Sequence, residues 1–288
     1  MPYIYLLISV FMNSSSSVFG KFFEKQNAGV KDATKLYNFL LLTSVFLIWC
    51  ILYTFNFSFD VQVLPYCVLF AVCFTVCNIG IINALKYGPT TLTALFNSLS
   101  LIVTTVWGFV FWETELTLTV IMGIVLVVVS IYLCLYTNEK EEKKFSWKWL
   151  LFVLMAFFGN AGCSIVQRTQ QMEFYGQHKY MLMTFATLLS AVACFAIYWR
   201  GDKASTKDIL KKSWHFPIFA GACNVVLNLF VMLLATSLLS PSLIYPVIGV
   251  GGLMLVTLVS LFVFKEKLKW QQWFGITIGT IATALLSI

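Results

Sequence analysis

The chain is written almost entirely in long apolar runs, each closed by charge, glycine or proline. A run of about 20 such residues crosses a bilayer core of roughly 30 Å as an α-helix. This pattern predicts ten spans, at residues 3–23, 35–55, 62–86, 89–112, 117–136, 147–169, 179–199, 214–237, 241–264 and 270–288. The fold class that follows is an all-α polytopic membrane protein. The longest connections, Asn138–Trp147 and Arg200–Ser213, are too short to hold a folded domain. No basic residue precedes the first run and no small-residue cleavage pattern follows it, so it is expected to remain as a span and not to be removed as a signal peptide.

Composition strengthens the reading. Of 288 residues, 60% are hydrophobic and 11% charged, against about 25% charged in soluble domains, and the mean hydropathy is +0.87. A formal charge of +7 would point to an anionic partner in a soluble protein. Here topology accounts for it, and no nucleic-acid partner is expected. With ten alternating spans, 17 of the 19 Lys and Arg residues fall on one side, leaving only Arg168 and Lys179 on the other. Short basic loops stay in the cytoplasm. Both termini are therefore expected outside a plasma membrane, with the lipid bilayer as surroundings.

Two stretches repeat. FVFWETEL (Phe109–Leu116) matches FVFKEKL (Phe262–Leu268), and each precedes a span with glycine at the same place, Gly123 and Gly275. Asn13, Ser17 and Lys21 lie 147 residues before Asn160, Ser164 and Arg168. The halves, 1–137 and 138–288, read as two five-span copies. An odd number of spans per copy makes the second insert upside down, giving the inverted repeat on which alternating access is built.

ALKYGPTTLTALFNSLSLIVTTVWGFVFWETELTLTVIMGIVL (Ala84–Leu126), with its counterpart at Pro241–Leu286, resembles the repeat of the EamA-type transporters in the drug/metabolite transporter superfamily. The shared features are the "AL-basic-Tyr" helix end, a small-residue span, an acidic helix end and a glycine-containing fifth span. The resemblance implies spans 1, 3, 4, 6, 8 and 9 around a central cavity, spans 5 and 10 at the periphery, and small metabolites as cargo.

Positions i, i+3, i+4, i+7 and i+8 share a helix face. In span 1 that face carries Asn13, Ser16, Ser17, Gly20 and Lys21, and in span 6 Asn160, Cys163, Ser164, Gln167 and Arg168. Span 3 offers Asn78, span 4 Asn97, Ser98 and Ser100, and span 8 Asn224 and Asn228. Tyr245 precedes the run GVGG (Gly249–Gly252), which either loosens span 9 into a gate or packs it closely. Polar faces of this kind point into a bundle or a wet cavity, away from lipid. The same residue types also serve as interhelical glue worth about 0.6 kcal/mol each, so both readings stand. Lys21 and Arg168 either snorkel to the interface or place a cation at each mouth of a pathway.

The acidic residues and both histidines all fall at span ends or in loops, leaving no embedded acid to relay protons. All eight cysteines sit in apolar runs and read as packing groups. No metal or cofactor is expected. Gly275 and Gly279 form GxxxG, a signature of close packing or of a homodimer. The expected function is a transporter of a small polar metabolite, an amino acid or related compound, exporting it by alternating access. A sugar or nucleotide-sugar transporter is the alternative cargo, and an intramembrane enzyme the alternative class.

Overall fold

A computed structural model of the chain describes residues 2–111, 117–135, 146–235, 237, 241–265 and 268–285. Within these residues it contains twelve α-helices and no strand. They are α1 (Pro2–Gln26), α2 (Ala33–Phe55), α3 (Leu64–Tyr87), α4 (Thr90–Leu99), α5 (Leu101–Phe111), α6 (Leu118–Leu135), α7 (Trp147–Glu173), α8 (Lys179–Trp199), α9 (Thr206–Ser213), α10 (His215–Ala235), α11 (Pro241–Phe262) and α12 (Trp270–Leu285). Six of them, α1, α2, α3, α7, α8 and α10, are long and apolar enough to cross a membrane. The protein is a multi-pass helical membrane protein. The basic stretch 138–145, the acidic helix end at Glu113 and Glu115, and the side chains of Ser98, Cys134 and Tyr245 lie outside the described residues.

Local sequence starts these helices. Ser146 caps α7, its hydroxyl accepting the Trp149 N–H at 3.3 Å. Asp60 caps the 3₁₀ turn Val61–Val63 by accepting the Gln62 N–H at 2.9 Å, and a proline at the start of α3 follows. Each expected span coincides with one helix except the fourth, which the structure divides. α4 ends at Leu99 and α5 begins at Leu101, with a turn at Ser100 between them. A second feature is α9, a two-turn helix in the connection between the seventh and eighth expected spans. Its Ile209 and Ser213 are buried.

The helices pair across the two halves of the chain. α3 packs on α7, α1 on α10 and α11, α2 on α8 and α10, α4 on α11 and α7, and α6 on α12. The α3–α7 seam is held at backbone distance by two glycines. A Cβ on Gly80 would stand 2.5 Å from the Ala156 nitrogen, and one on Gly159 2.7 Å from the Cys77 nitrogen. Across α6–α12, Ser130 donates to the Gly275 carbonyl at 2.6 Å, and a Cβ on Gly279 would meet the Ser130 hydroxyl at 2.7 Å. The GxxxG glycines are thus engaged within one chain. Large apolar side chains such as Leu7, Ile51, Val72, Val128 and Phe158 cover the outside, as a lipid-facing surface requires.

Contacts between chain turns sort the loops into two faces. On one face, Asp32 accepts the Asp202 N–H at 2.8 Å, and Asn27 donates to Ser213 at 2.9 Å. Phe22 meets Phe264 edge-on at 4.9 Å, and the Trp149 indole N–H donates to Thr93 at 3.2 Å. On the other face, Tyr66 donates to Glu173, and His178 stands 3.9 Å from Asp60. The Asp202 N–H and the Lys35 ammonium together hold the half-buried Asp32 carboxyl below its usual range.

Candidate functional site

The face of α1 carrying Asn13, Ser16, Ser17 and Gly20 looks onto a cavity of about 100 Å³. α3 contributes Asn78 to its wall, α4 Asn97, α7 Asn160 and Cys163, and α10 Asn224 and Asn228. A second cavity of about 90 Å³ shares Asn13, Asn97, Asn160, Cys163, Leu227 and Asn228, and continues past Ser164, Gln167, Val231, Ile248 and Gly249. A bound water needs only about 10–15 Å³ of such space, so each cavity has room for several. The first runs toward the C-terminal ends of α1 and α3, at Gly20 and Leu85; the second runs toward the C-terminal ends of α7 and α10. The start of α3 meets the end of α7 at Tyr66 and Glu173. The two cavities therefore leave the shared asparagines in opposite directions.

Ten of the eleven residues expected in a cavity lining are found in these two: Asn13, Ser16, Ser17, Asn78, Asn97, Asn160, Ser164, Gln167, Asn224 and Asn228. Sequence reasoning missed Tyr37, Leu41, Phe70 and Phe74, which belong to the apolar part of the wall. The few polar residues of span 2, such as Asn38, Thr43 and Ser44, do not single out the face of Tyr37 and Leu41, so its period carried no signal that these turn inward. Among the described residues, no charged side chain belongs to either lining.

Hydrogen bonds fix the orientation of several amides, because only an amide N–H can donate to a carbonyl. Asn78 donates to the Phe74 carbonyl at 2.8 Å, and Asn160 donates to Ser100 at 2.7 Å and to the Asn97 carbonyl at 3.3 Å. Asn228 donates to the Asn224 carbonyl at 2.9 Å and accepts from Gln167 at 3.4 Å. The Asn97 Oδ1 is buried without a hydrogen-bond partner. Asn160 also explains how the divided fourth span is tolerated. Its amide reaches the loosened turn that separates α4 from α5, as the break at Ser100 frees backbone groups inside the membrane.

Sequence comparison supplies the deciding observation. The EamA-like transporter family matches residues 1–136 and again residues 147–288. The chain belongs to the EamA-like transporter family. Two relatives in Pseudomonas fluorescens strains are each named a probable 4-amino-4-deoxy-L-arabinose-phosphoundecaprenol flippase subunit ArnE. One is 31% identical over 108 residues, covering 37% of this chain and 91% of the relative. The other is 28% identical over 89 residues, covering 31% of this chain and 75% of the relative. A solved protein structure with no stated function superposes with a TM-score of 0.63 over 96% of this chain and 95% of its own. At 11% identity that likeness speaks for the fold alone. This EamA-like chain is a membrane transporter by family.

The two expected cations of this transporter stand outside both linings. Lys21 turns to the end of α3, where its ammonium donates to the carbonyls of Leu85 at 3.0 Å and Gly88 at 3.4 Å. A cation there complements the negative end of the helix dipole. Arg168 is half-buried beside Gln167 and makes contacts of its own. Glu24 differs from expectation. α1 continues past it to Gln26, and the side chain is only 8% exposed, with Oε1 unpartnered and the charges of Lys86 and Lys21 close by.

Proposed function

We infer that the chain carries a small polar metabolite, an amino acid or a related compound, through the paired cavities by alternating access, in the direction of export. The observation that carries this reading is the meeting of six asparagines from five helices in one uncharged, water-sized space. Their amides can replace the hydration of a zwitterion or a polyol without committing the site to net charge. Two family matches in tandem, with relatives less than half as long as this chain, support two repeats at 1–137 and 138–288. The helix pairings support two related copies, since exchanging the first five spans with the last five returns the main pairings, α3–α7 as α10–α1 and α1–α11 as α7–α4, and five spans per copy would insert the second upside down. Under this reading the protein lies in the plasma membrane with both termini outside.

Transport of a sugar is the second reading, favoured by the names of the two flippase relatives. Counterflow of radiolabelled alanine and glucose in proteoliposomes tests both. The Asn13 side chain lines both cavities, and its amide has no hydrogen bond among the described residues. Asn13→Ala should therefore leave melting unchanged and cut kcat/KM by about tenfold, the value of one lost hydrogen bond to a charged or strongly polar solute. Failure of both solutes to move, or wild-type transport by the variant, would overturn the proposal.

A further inference from the structure

The two halves of the chain differ at one pair of equivalent contacts, and the difference describes a switch. Pro89 and Pro241, Leu116 and Leu268, and Gly123 and Gly275 all stand 152 residues apart. The same interval sets Gly249 in the place of Asn97 and Gly252 in the place of Ser100. α7 packs on α4, and α1 on α11. Asn160 of α7 meets Ser100, and its equivalent Asn13 of α1 meets Gly252, where a Cβ would stand 2.7 Å from the Asn13 Nδ2.

The outcome at the two contacts is opposite. In the first half, the Asn160 amide donates to the Asn97 carbonyl at 3.3 Å and to the Ser100 hydroxyl at 2.7 Å, and span 4 is broken there. In the second, the Asn13 amide makes no hydrogen bond among the described residues, and α11 runs unbroken from Pro241 to Phe262. Local sequence argues the other way round. NSLSL (Asn97–Leu101) holds neither glycine nor proline, whereas Pro246, Gly249, Gly251 and Gly252 all fall in α11. Proline removes a helix N–H, and glycine is the next weakest helix former. The break follows the anchored asparagine and not the local sequence.

We propose that these contacts exchange during transport. In the opposite-facing state the Asn13 amide donates to the Gly249 carbonyl and span 9 breaks at Gly252, while Asn160 releases its partners and span 4 closes into one helix. This rests on the reading of the chain as inverted repeats working by alternating access. A donor brought to a freed carbonyl offsets part of the cost of opening a helix inside the membrane. Both asparagines line the space that the two cavities share, so the bonds form and release where a solute passes. Ser14 already serves the same turn of α11, its hydroxyl donating to the Gly252 carbonyl at 3.2 Å. Gly252 gives Asn13 room to lie against α11 while that helix is whole.

Hydrogen–deuterium exchange of the purified full-length protein, read by mass spectrometry over residues 101–104 and 253–256, follows both spans at once. A helix start leaves its first N–H groups without partners in their own helix, so a break shows as faster exchange just after it. Asn160→Leu removes the donor at similar volume. It should slow exchange at 101–104 and speed it at 253–256, each by about three- to tenfold, the value of one hydrogen bond. Asn13→Leu should act in the opposite direction and slow 253–256. Gly252→Ser supplies in the second half the hydroxyl that Asn160 holds in the first. It should speed 253–256 by about threefold or more, with a matching fall at 101–104.

Faster exchange at 101–104 alone in Asn160→Leu, with 253–256 unchanged, makes Asn160 a structural tie and overturns the switch. Wild-type exchange in all three variants overturns it too, and counterflow of alanine or glucose by the same wild-type preparation then leaves alternating access standing. Counterflow of neither solute removes the reading beneath the switch, and the switch with it.

Discussion

Lys21 shows how one residue in a membrane helix can be read three ways until its neighbours are known. Its place on α1 suits a snorkelling stem or a cation at a pathway mouth. Instead its ammonium closes the last turn of α3 through the Leu85 and Gly88 carbonyls. Lys21→Met keeps the stem and removes the donors. It should lower stability by about 1–2 kcal/mol, from lost charge-assisted bonds and dipole compensation, while the ratio of transport rates for anionic and neutral solutes stays unchanged. Thermal melting and paired uptake assays measure both, and a loss confined to anionic solutes would restore the mouth-cation reading. The inward faces of Asn13, Asn160 and Asn228 were legible because lone amides in apolar runs have few tolerable directions. Lys21 was not, since a long flexible side chain reaches partners 64 and 67 residues away that periodicity cannot name.

Among the elements, helix limits followed the charged punctuation closely, whereas two features had no sequence signal. The turn at Ser100 falls in NSLSL, which contains neither glycine nor proline. The Asn97 carbonyl at that break accepts from the Ser100 hydroxyl at 2.6 Å and from the amide of Asn160, which arrives from another helix. α9 is amphipathic, but its apolar side needed the neighbouring helices to be recognised as buried. The α3–α7 seam is the opposite case. Gly80 and Gly159 look like ordinary small residues in sequence, yet each faces the partner's backbone, which cannot move aside as a side chain can. Gly159→Ala should therefore cost about 1–3 kcal/mol through overpacking and reduce the yield of folded protein. An unchanged melting temperature would show that the two helices separate without penalty, and would remove the seam as a fixed wall of the cavity.

At the scale of the whole molecule, the loop contacts and the charge pattern describe the same face. Asp32 with Asp202, Asn27 with Ser213, Phe22 with Phe264 and Lys21 with Gly88 bring the ends of spans 1, 3, 7 and 9 together, and Trp149 with Thr93 adds the start of span 6. These are the connections that hold 17 of the 19 basic side chains. The linkage of Tyr66 with Glu173 and of His178 with Asp60 gathers the connections after spans 2 and 6 at the other face. Under the positive-inside rule Ala204 is expected in the cytoplasm and Tyr175, which is 90% exposed, outside. Membrane-impermeant maleimide should label Tyr175→Cys in intact cells and Ala204→Cys only after lysis. The native cysteines lie within apolar runs and contribute little background. The reverse labelling would invert the molecule and exchange the cavity openings. Labelling of both sites in intact cells would break the alternation of spans on which the two-repeat reading depends.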